Sequence, residues 1–112
     1  MATRTPSVEL LWWEGCPSTE DALAMVREEM AAAGLDAEAL DVREISTDAD
    51  AEREAFVGSP TIRVDGHDVQ PVPHEPVGLS CRVYRLADGR ISPLPARDEV
   101  RQTLLDAMRG DD

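Results

Sequence analysis

The sequence predicts one α/β domain over residues 1–112, with a mixed sheet of about four strands flanked by helices. The chain has 112 residues, of which 42% are apolar, and this suits a single compact domain. Strand-like and helix-like segments alternate through the first half, which is typical of a sheet whose first two strands are parallel. Two Asp-Gly pairs in the second half indicate hairpin turns and so add antiparallel strands.

A strand followed by a helix is predicted near the N-terminus. Residues 8–13 are almost continuously apolar, as in a central strand that is covered on both faces. A helix is predicted over residues 17–33, because Pro17 suits a first helical turn and Gly34 suits a helix end. The apolar side chains of this segment share one helix face: Leu23, Val26, Met30 and Ala33.

The same order repeats once. Residues 40–45 alternate between apolar and charged side chains and predict a second strand. Residues 48–56 are acidic and rich in alanine, which predicts a short helix with Thr47 or Asp48 as its N-cap.

The second half is predicted to contain shorter strands, a stiff loop and a final helix. Three prolines crowd the loop, at positions 71, 73 and 76. The predicted elements are strands over residues 61–64, 67–69 and 81–86, hairpin turns at 65–66 and 88–89, and an amphipathic helix over 96–108.

The charge excludes some functions. The net charge is −12, which repels phosphate backbones and argues against binding to DNA or RNA. All 11 basic residues are arginine, so Schiff-base lysine chemistry is excluded. The N-terminal apolar run is too short for a signal peptide or a membrane span, and we expect an acidic cytoplasmic protein. Its two cysteines are then expected to be reduced.

Cys16 stands where a predicted strand ends and a predicted helix begins. Backbone N–H groups and the helix dipole point at such a position and stabilise a thiolate, which is the nucleophile of disulfide exchange. The nearby carboxylates of Glu14, Glu20 and Asp21 oppose this effect by repulsion. The alternative is that Cys16 is a small apolar residue that fills a gap in the core.

Two motifs, with the elements between them, resemble the thioredoxin superfamily. WEGCPST at residues 13–19 resembles a degenerate glutaredoxin-like site, here Cys-Pro-Ser-Thr. GSPTI at residues 58–62 resembles the superfamily's cis-proline loop. The resemblance extends over about residues 7–108 and implies a thioredoxin-like fold.

The resemblance also implies roles for individual residues. The cis-proline loop would lie against Cys16, and the backbone of Ser59, Pro60 and Thr61 would pair with a bound peptide or thiol. It implies a cis bond between Ser59 and Pro60.

Two further residues are expected near the substrate. Trp13 would lie near the exposed end of its strand, beside the site. Gly15 would give the backbone of a partner room to approach.

The sequence departs from this pattern at the second motif cysteine. Thr19 replaces it, and its hydroxyl is expected to support the Cys16 thiolate by a hydrogen bond. Cys81 is the other thiol, 65 positions after Cys16, and it either resolves the mixed disulfide or is a core thiol. A low-molecular-weight thiol would be the alternative resolver.

Thiol–disulfide exchange at Cys16 is therefore the predicted function. Its partners would be protein or small-molecule thiols and disulfides, without a cofactor, a nucleic acid or a membrane. Whether the protein is an enzyme, and its oligomeric state, stay open.

Two other classes of function stay open as well. A redox-inert binding module would use the same fold without thiol chemistry. A soft-metal site for Cu, Hg or Zn would use Cys16 and Cys81, completed by His67 and His74. The spacing of the two thiols faintly resembles organomercurial lyases, which have an acidic residue where Thr19 stands.

Overall fold

The computed structural model describes residues 4–110 and is a mixed α/β structure, as predicted. Within these residues, four strands form one sheet, two short strands form a separate hairpin, and three α-helices pack around them. The strands are β1 (Val8–Trp12), β2 (Asp41–Glu44), β3 (Thr61–Val64), β4 (His67–Asp68), β5 (Tyr84–Arg85) and β6 (Ile91–Ser92). The helices are α1 (Thr19–Ala32), α2 (Asp48–Glu54) and α3 (Arg97–Met108).

Strand β1 lies inside the four-stranded sheet, whose order is β2-β1-β3-β4. It pairs in parallel with β2, where Leu10 lies opposite Val42, so the prediction of two parallel first strands is confirmed. It pairs antiparallel with β3, where Leu10 lies opposite Ile62. Because β1 and β3 are antiparallel, the carboxyl end of β1 lies beside the start of β3 and the segment that precedes it.

The two faces of β1 contribute to different apolar clusters. Leu10 packs on the side of α1 and α3, whereas Leu11 packs with Phe56 on the side of α2. Trp12 joins the first cluster and Trp13 the second, so the two tryptophans lie on opposite faces of the sheet. Burial on both faces explains the continuous apolar run of this strand.

Helix α1 is joined to α3 by a buried carboxylate. The Glu29 side chain is 4% exposed and accepts hydrogen bonds from Arg101 Nε at 2.8 Å and from Arg97 Nη1 at 3.1 Å. The pKa of Glu29 is lowered, chiefly by the hydrogen bond from Arg101, against the opposing effect of burial.

Helix boundaries differ slightly from the prediction. Helix α1 begins at Thr19, two residues after Pro17, so Cys16 lies in the turn between β1 and α1. Helix α2 is capped by Thr47, whose hydroxyl accepts from the Asp50 N–H at 3.1 Å. It ends at Glu54, because Ala55 adopts the left-handed conformation with φ 52°.

The predicted strand over residues 81–86 is mostly wrong. Its regular part is the two-residue strand β5, which pairs with β6 across the predicted Asp88-Gly89 turn. Cys81 instead forms a single parallel bridge with Ser59. The described part of the chain contains no helix that is both long and apolar enough to cross a membrane.

Candidate functional site: two thiols beside the 58–61 loop

Cys16 is buried at the carboxyl end of β1. Its residue is 7% exposed, and its N–H donates to the Trp13 carbonyl oxygen at 3.1 Å, which closes the turn. Its thiol donates to the carbonyl oxygen of Ser59 at 3.2 Å. The turn therefore aims the Cys16 sulfur at the loop that precedes β3, as the resemblance implied.

The pKa of Cys16 is lowered from its ordinary value. Burial is the largest effect and opposes ionisation, but hydrogen bonds to the sulfur outweigh it. They come from the backbone N–H and the hydroxyl of Ser18, from the Cys81 thiol and from the Ser59 hydroxyl. Cys16 is therefore the thiol of the pair that ionises first.

The 58–61 loop contacts the turn that carries Cys16 and also the segment of residues 80–82. Its Ser59–Pro60 bond is cis, as the resemblance implied. Ser59 is fully buried, and its hydroxyl accepts the Trp13 N–H at 3.0 Å. Thr61 is also fully buried and donates to the Gly58 carbonyl oxygen at 2.6 Å. The loop is thereby fixed against the end of β1.

A segment of the same chain pairs with Ser59. The Ser59 N–H donates to the Ser80 carbonyl oxygen at 2.8 Å, and the Arg82 N–H donates to the Ser59 carbonyl oxygen at 2.9 Å. A Cβ atom on Gly58 would lie 2.8 Å from Arg82 Cβ, so glycine is required for this approach. Because Cys81 lies between Ser80 and Arg82, this pairing places it beside Cys16.

Cys81 is exposed, in contrast to Cys16. Its thiol lies 3.9 Å from the Gly15 carbonyl oxygen, and the residue lines the same cavity as Cys16. Its pKa is raised, first by desolvation and then by the hydrogen bond it donates to Cys16 and by the charge there. The two thiols therefore differ in both exposure and acidity.

Arg82 and Tyr84 anchor the segment that carries Cys81. The Arg82 side chain is 3% exposed and donates to both carboxylate oxygens of Asp68, at 2.7 and 2.9 Å. Its guanidinium carbon lies 4.3 Å from the centre of the Tyr84 ring, a cation–π contact. The Tyr84 hydroxyl donates to the Pro60 carbonyl oxygen at 2.5 Å.

These anchoring residues were missed in the sequence. Tyr84 is the single tyrosine of the chain, and a buried hydroxyl requires a partner, so it carried a weak signal. Arg82 and Asp68 carried none, because an ion pair between strand β4 and the segment before β5 shows no periodicity in the sequence.

Some predicted site residues take other roles. The Thr19 hydroxyl donates to the Cys16 carbonyl oxygen at 3.5 Å and not to the sulfur, because it lies one turn further along the chain, beside the backbone. Ser18 forms the hydrogen bonds to the sulfur instead. The space over Gly15 is filled by the indole of Trp13, whose ring atoms would lie 2.3 to 2.6 Å from an added Cβ. The room expected there for a partner is therefore occupied.

The histidines do not complete a metal site with the thiols. Among the described residues, no group of three or more His, Cys, Asp or Glu side chains is arranged to hold a metal ion. His67 is exposed on β4, and His74 is exposed in the proline-rich loop. The set of two cysteines and two histidines is therefore not assembled.

An apolar cavity of about 290 Å³ opens beside the two sulfurs. Both cysteines line it, together with Pro17 and with the side chains of Val83 and Ile91. Val83 is 59% exposed and Ile91 is 65% exposed, so both side chains remain accessible to solvent at the cavity. The thiol pair therefore faces a small apolar space that is open to solvent.

Comparison with known proteins adds no relative to this description. No family model, curated protein or solved structure matches the chain.

Proposed function

We propose that this protein is a thioredoxin-like thiol–disulfide exchange protein in which Cys16 attacks and Cys81 resolves. The observation that carries the proposal is that the two cysteines line one cavity and both lie against the 58–61 loop, although they are 65 positions apart in the chain. A structural cysteine needs no second thiol beside it, whereas a dithiol exchange site does.

The opposite pKa shifts support a division of roles. Cys16 has the lowered pKa and supplies the thiolate that attacks a disulfide. Cys81 has the raised pKa and stays protonated while Cys16 is ionised, so it donates a hydrogen bond to that thiolate. When Cys16 enters a mixed disulfide its charge is lost, and this favours ionisation of Cys81 for the second step.

The exchange balances in two steps. The Cys16 thiolate attacks a disulfide RSSR, forms a Cys16–S–S–R bond and releases one RS⁻. The Cys81 thiolate then attacks the Cys16 sulfur, forms the Cys16–Cys81 disulfide and releases the second RS⁻. A dithiol reductant then reduces the Cys16–Cys81 disulfide to two thiols, and the dithiol is itself oxidised to a disulfide.

The surrounding fold supports a thioredoxin-like assignment. Cys16 follows a central strand and precedes a helix, and the 58–61 loop with its cis bond lies against it before the next core strand. This arrangement agrees with the two motifs at residues 13–19 and 58–62. The site differs from the thioredoxin-like pattern in its second thiol, which lies in the segment before β5 and not in helix α1.

The first test is the intact mass of the purified protein after oxidation with a small disulfide. We expect the loss of two hydrogen atoms, mapped to a Cys16–Cys81 bond. In Cys81→Ser we expect a stable small-thiol adduct on Cys16, which is the monothiol form of the reaction. No selective change at Cys16 would contradict the proposal and favour a redox-inert binding module.

A soft-metal site is the second candidate, and the placement of both cysteines on one cavity favours it. Two adjacent thiolates suit a two-coordinate soft ion such as Cu(I) or Hg(II). This candidate predicts a native mass that includes the metal, in a protein that loses the metal on denaturation or in Cys16→Ser. A metal-free native mass together with the disulfide supports exchange.

A further inference from the structure

The backbone that would bind an extended peptide is already used. Both backbone groups of Ser59 are paired, the N–H with Ser80 and the carbonyl oxygen with Arg82 and the Cys16 thiol. A peptide that adds as a strand beside Cys16 needs these groups for its main-chain hydrogen bonds. With residues 80–82 in place, the site offers a peptide no free edge there.

The space left beside the sulfurs is small and apolar. The cavity of about 290 Å³ is at the lower end of the range for small-molecule pockets. Val83 and Ile91 form its outer side, and Pro17 lies next to Cys16. A short aliphatic or aromatic group on a disulfide sulfur fits this space, because its burial needs no hydrogen-bond partner.

Among the described residues that line the cavity, there is no free cation for a carboxylate. Arg82 is the charged residue among those that line it, and its side chain is 3% exposed and bound to Asp68. The protein around it carries a net charge of −12. An anionic disulfide such as oxidised glutathione would therefore meet repulsion without a compensating ion pair.

We infer that the disulfide substrate of this site is a small, uncharged, apolar one, and that extended peptide and anionic disulfides are poor substrates. The inference rests on the proposed function and names its substrate class. One R group of RSSR occupies the apolar cavity while Cys16 attacks the sulfur that bears it. The products are the Cys16–Cys81 disulfide and two RSH, and a dithiol reductant is the second substrate.

The test compares matched disulfides on the reduced full-length protein. Dipropyl disulfide and bis(2-hydroxyethyl) disulfide have the same number of heavy atoms and no charge, and they differ by a methyl against a hydroxyl at each end. Oxidised glutathione and insulin serve as the anionic and polypeptide disulfides. Rates of Cys16–Cys81 formation are measured by acid quenching and intact mass, and each is divided by the rate of the same disulfide with N-acetylcysteine.

We expect the corrected rate with dipropyl disulfide to exceed that with bis(2-hydroxyethyl) disulfide by about tenfold or more, because a hydroxyl buried without a partner is costly. Ile91→Ser and Val83→Ser should reduce this preference several-fold. Val42→Ser is the matched control, because Val42 is 37% exposed on the outer strand β2 and does not line the cavity. Circular dichroism verifies that each variant is folded.

The possible failures are distinguishable. Equal corrected rates for the two neutral disulfides, or the fastest reaction with oxidised glutathione or insulin, would overturn the substrate class while exchange itself stands. Failure of every disulfide to modify Cys16 would overturn the proposed function and this inference together. A preference that persists in both cavity variants would also contradict the assignment of the cavity.

Discussion

The carbonyl oxygen of Ser59 accepts two hydrogen bonds, from the Cys16 thiol at 3.2 Å and from the Arg82 N–H at 2.9 Å. One backbone atom thus joins the turn that carries the first thiol to the segment that carries the second. The position of Cys81 therefore depends on how firmly this segment is held.

Asp68→Asn should loosen the anchor of Arg82. The substitution removes the charge partner of a guanidinium that is 3% exposed, so the free energy of unfolding should fall by about 2–3 kcal/mol. Formation of the Cys16–Cys81 disulfide should slow in parallel. Urea denaturation and timed intact-mass analysis measure the two effects.

Asp88→Asn is the control for the Asp68 variant. The Asp88–Arg90 pair is exposed, with side chains 53% and 76% accessible, so its loss should change the free energy of unfolding by less than about 1 kcal/mol. Equal effects of the two variants would contradict the anchoring role of Asp68.

Gly58→Ala should displace the segment that carries Cys81. Gly58 has φ +133°, and an added Cβ would lie 2.8 Å from Arg82 Cβ, so strain and collision should cost about 1–3 kcal/mol. The disulfide should also form more slowly. Gly78→Ala is the matched control, because an added Cβ there meets no described atom within 4 Å. If both variants behave like the unmodified protein, the close approach at Gly58 is not required.

The pH dependence of alkylation should distinguish the two thiols. Because the pKa of Cys16 is lowered, its reaction with iodoacetamide should reach half of its maximum rate at a lower pH than that of a free thiol. Cys81 should require a higher pH, because its pKa is raised. Peptide mapping of each alkylated thiol across pH measures both profiles.

Substitutions of Cys81 test whether its thiol stabilises the Cys16 thiolate. Cys81→Ala removes the hydrogen-bond donor, so it should move the pH profile of Cys16 alkylation to higher pH. Cys81→Ser keeps a hydroxyl donor and should move this profile less. Identical profiles in the unmodified protein and Cys81→Ala would show that Cys81 does not stabilise the Cys16 thiolate.

Glu29→Gln should destabilise the contact between α1 and α3. The pKa of Glu29 is lowered in the folded protein, so its contribution is present above its ordinary pKa, about 4.3, and is lost as pH falls through the lower folded value. At neutral pH the loss should be about 1–3 kcal/mol, because the carboxylate is buried. Urea denaturation at neutral and acid pH measures it.

Glu28→Gln is the matched control for the helix contact. Glu28 is 60% exposed and pairs with the same Arg97, so its loss should have little effect on the free energy of unfolding. A difference between Glu29→Gln and the unmodified protein that stays constant down to acid pH would contradict the account of the pair.

Much of the fold could be predicted because it depends on local patterns. The apolar run of β1, the single apolar face of α1 and the Asp-Gly turns each carry a period or a turn signal in consecutive residues. The Thr47 cap of α2 was predicted, but the end of this helix moved by two residues, since Ala55 adopts a left-handed backbone conformation that composition does not show.

The site could be predicted only in part. Cys16 and the 58–61 loop carry local motifs, and the structure brings them together. The position of Cys81 could not be derived, because it depends on the ion pair of Arg82 with Asp68 and on the close approach at Gly58. The covering of Ser59 by residues 80–82 was hidden for the same reason, and the resemblance instead implied that the backbone of Ser59 pairs with a bound peptide or thiol.

The most direct measurement is the equilibrium of the two thiols in buffers of reduced and oxidised glutathione. After long incubation, acid quenching and alkylation, intact mass counts the free thiols, and peptide mapping locates the bonds. We predict one transition from two free thiols to a Cys16–Cys81 disulfide, lost in Cys16→Ser and in Cys81→Ser. Two free thiols at every ratio, or glutathione on Cys16 with Cys81 always free, would contradict a dithiol site.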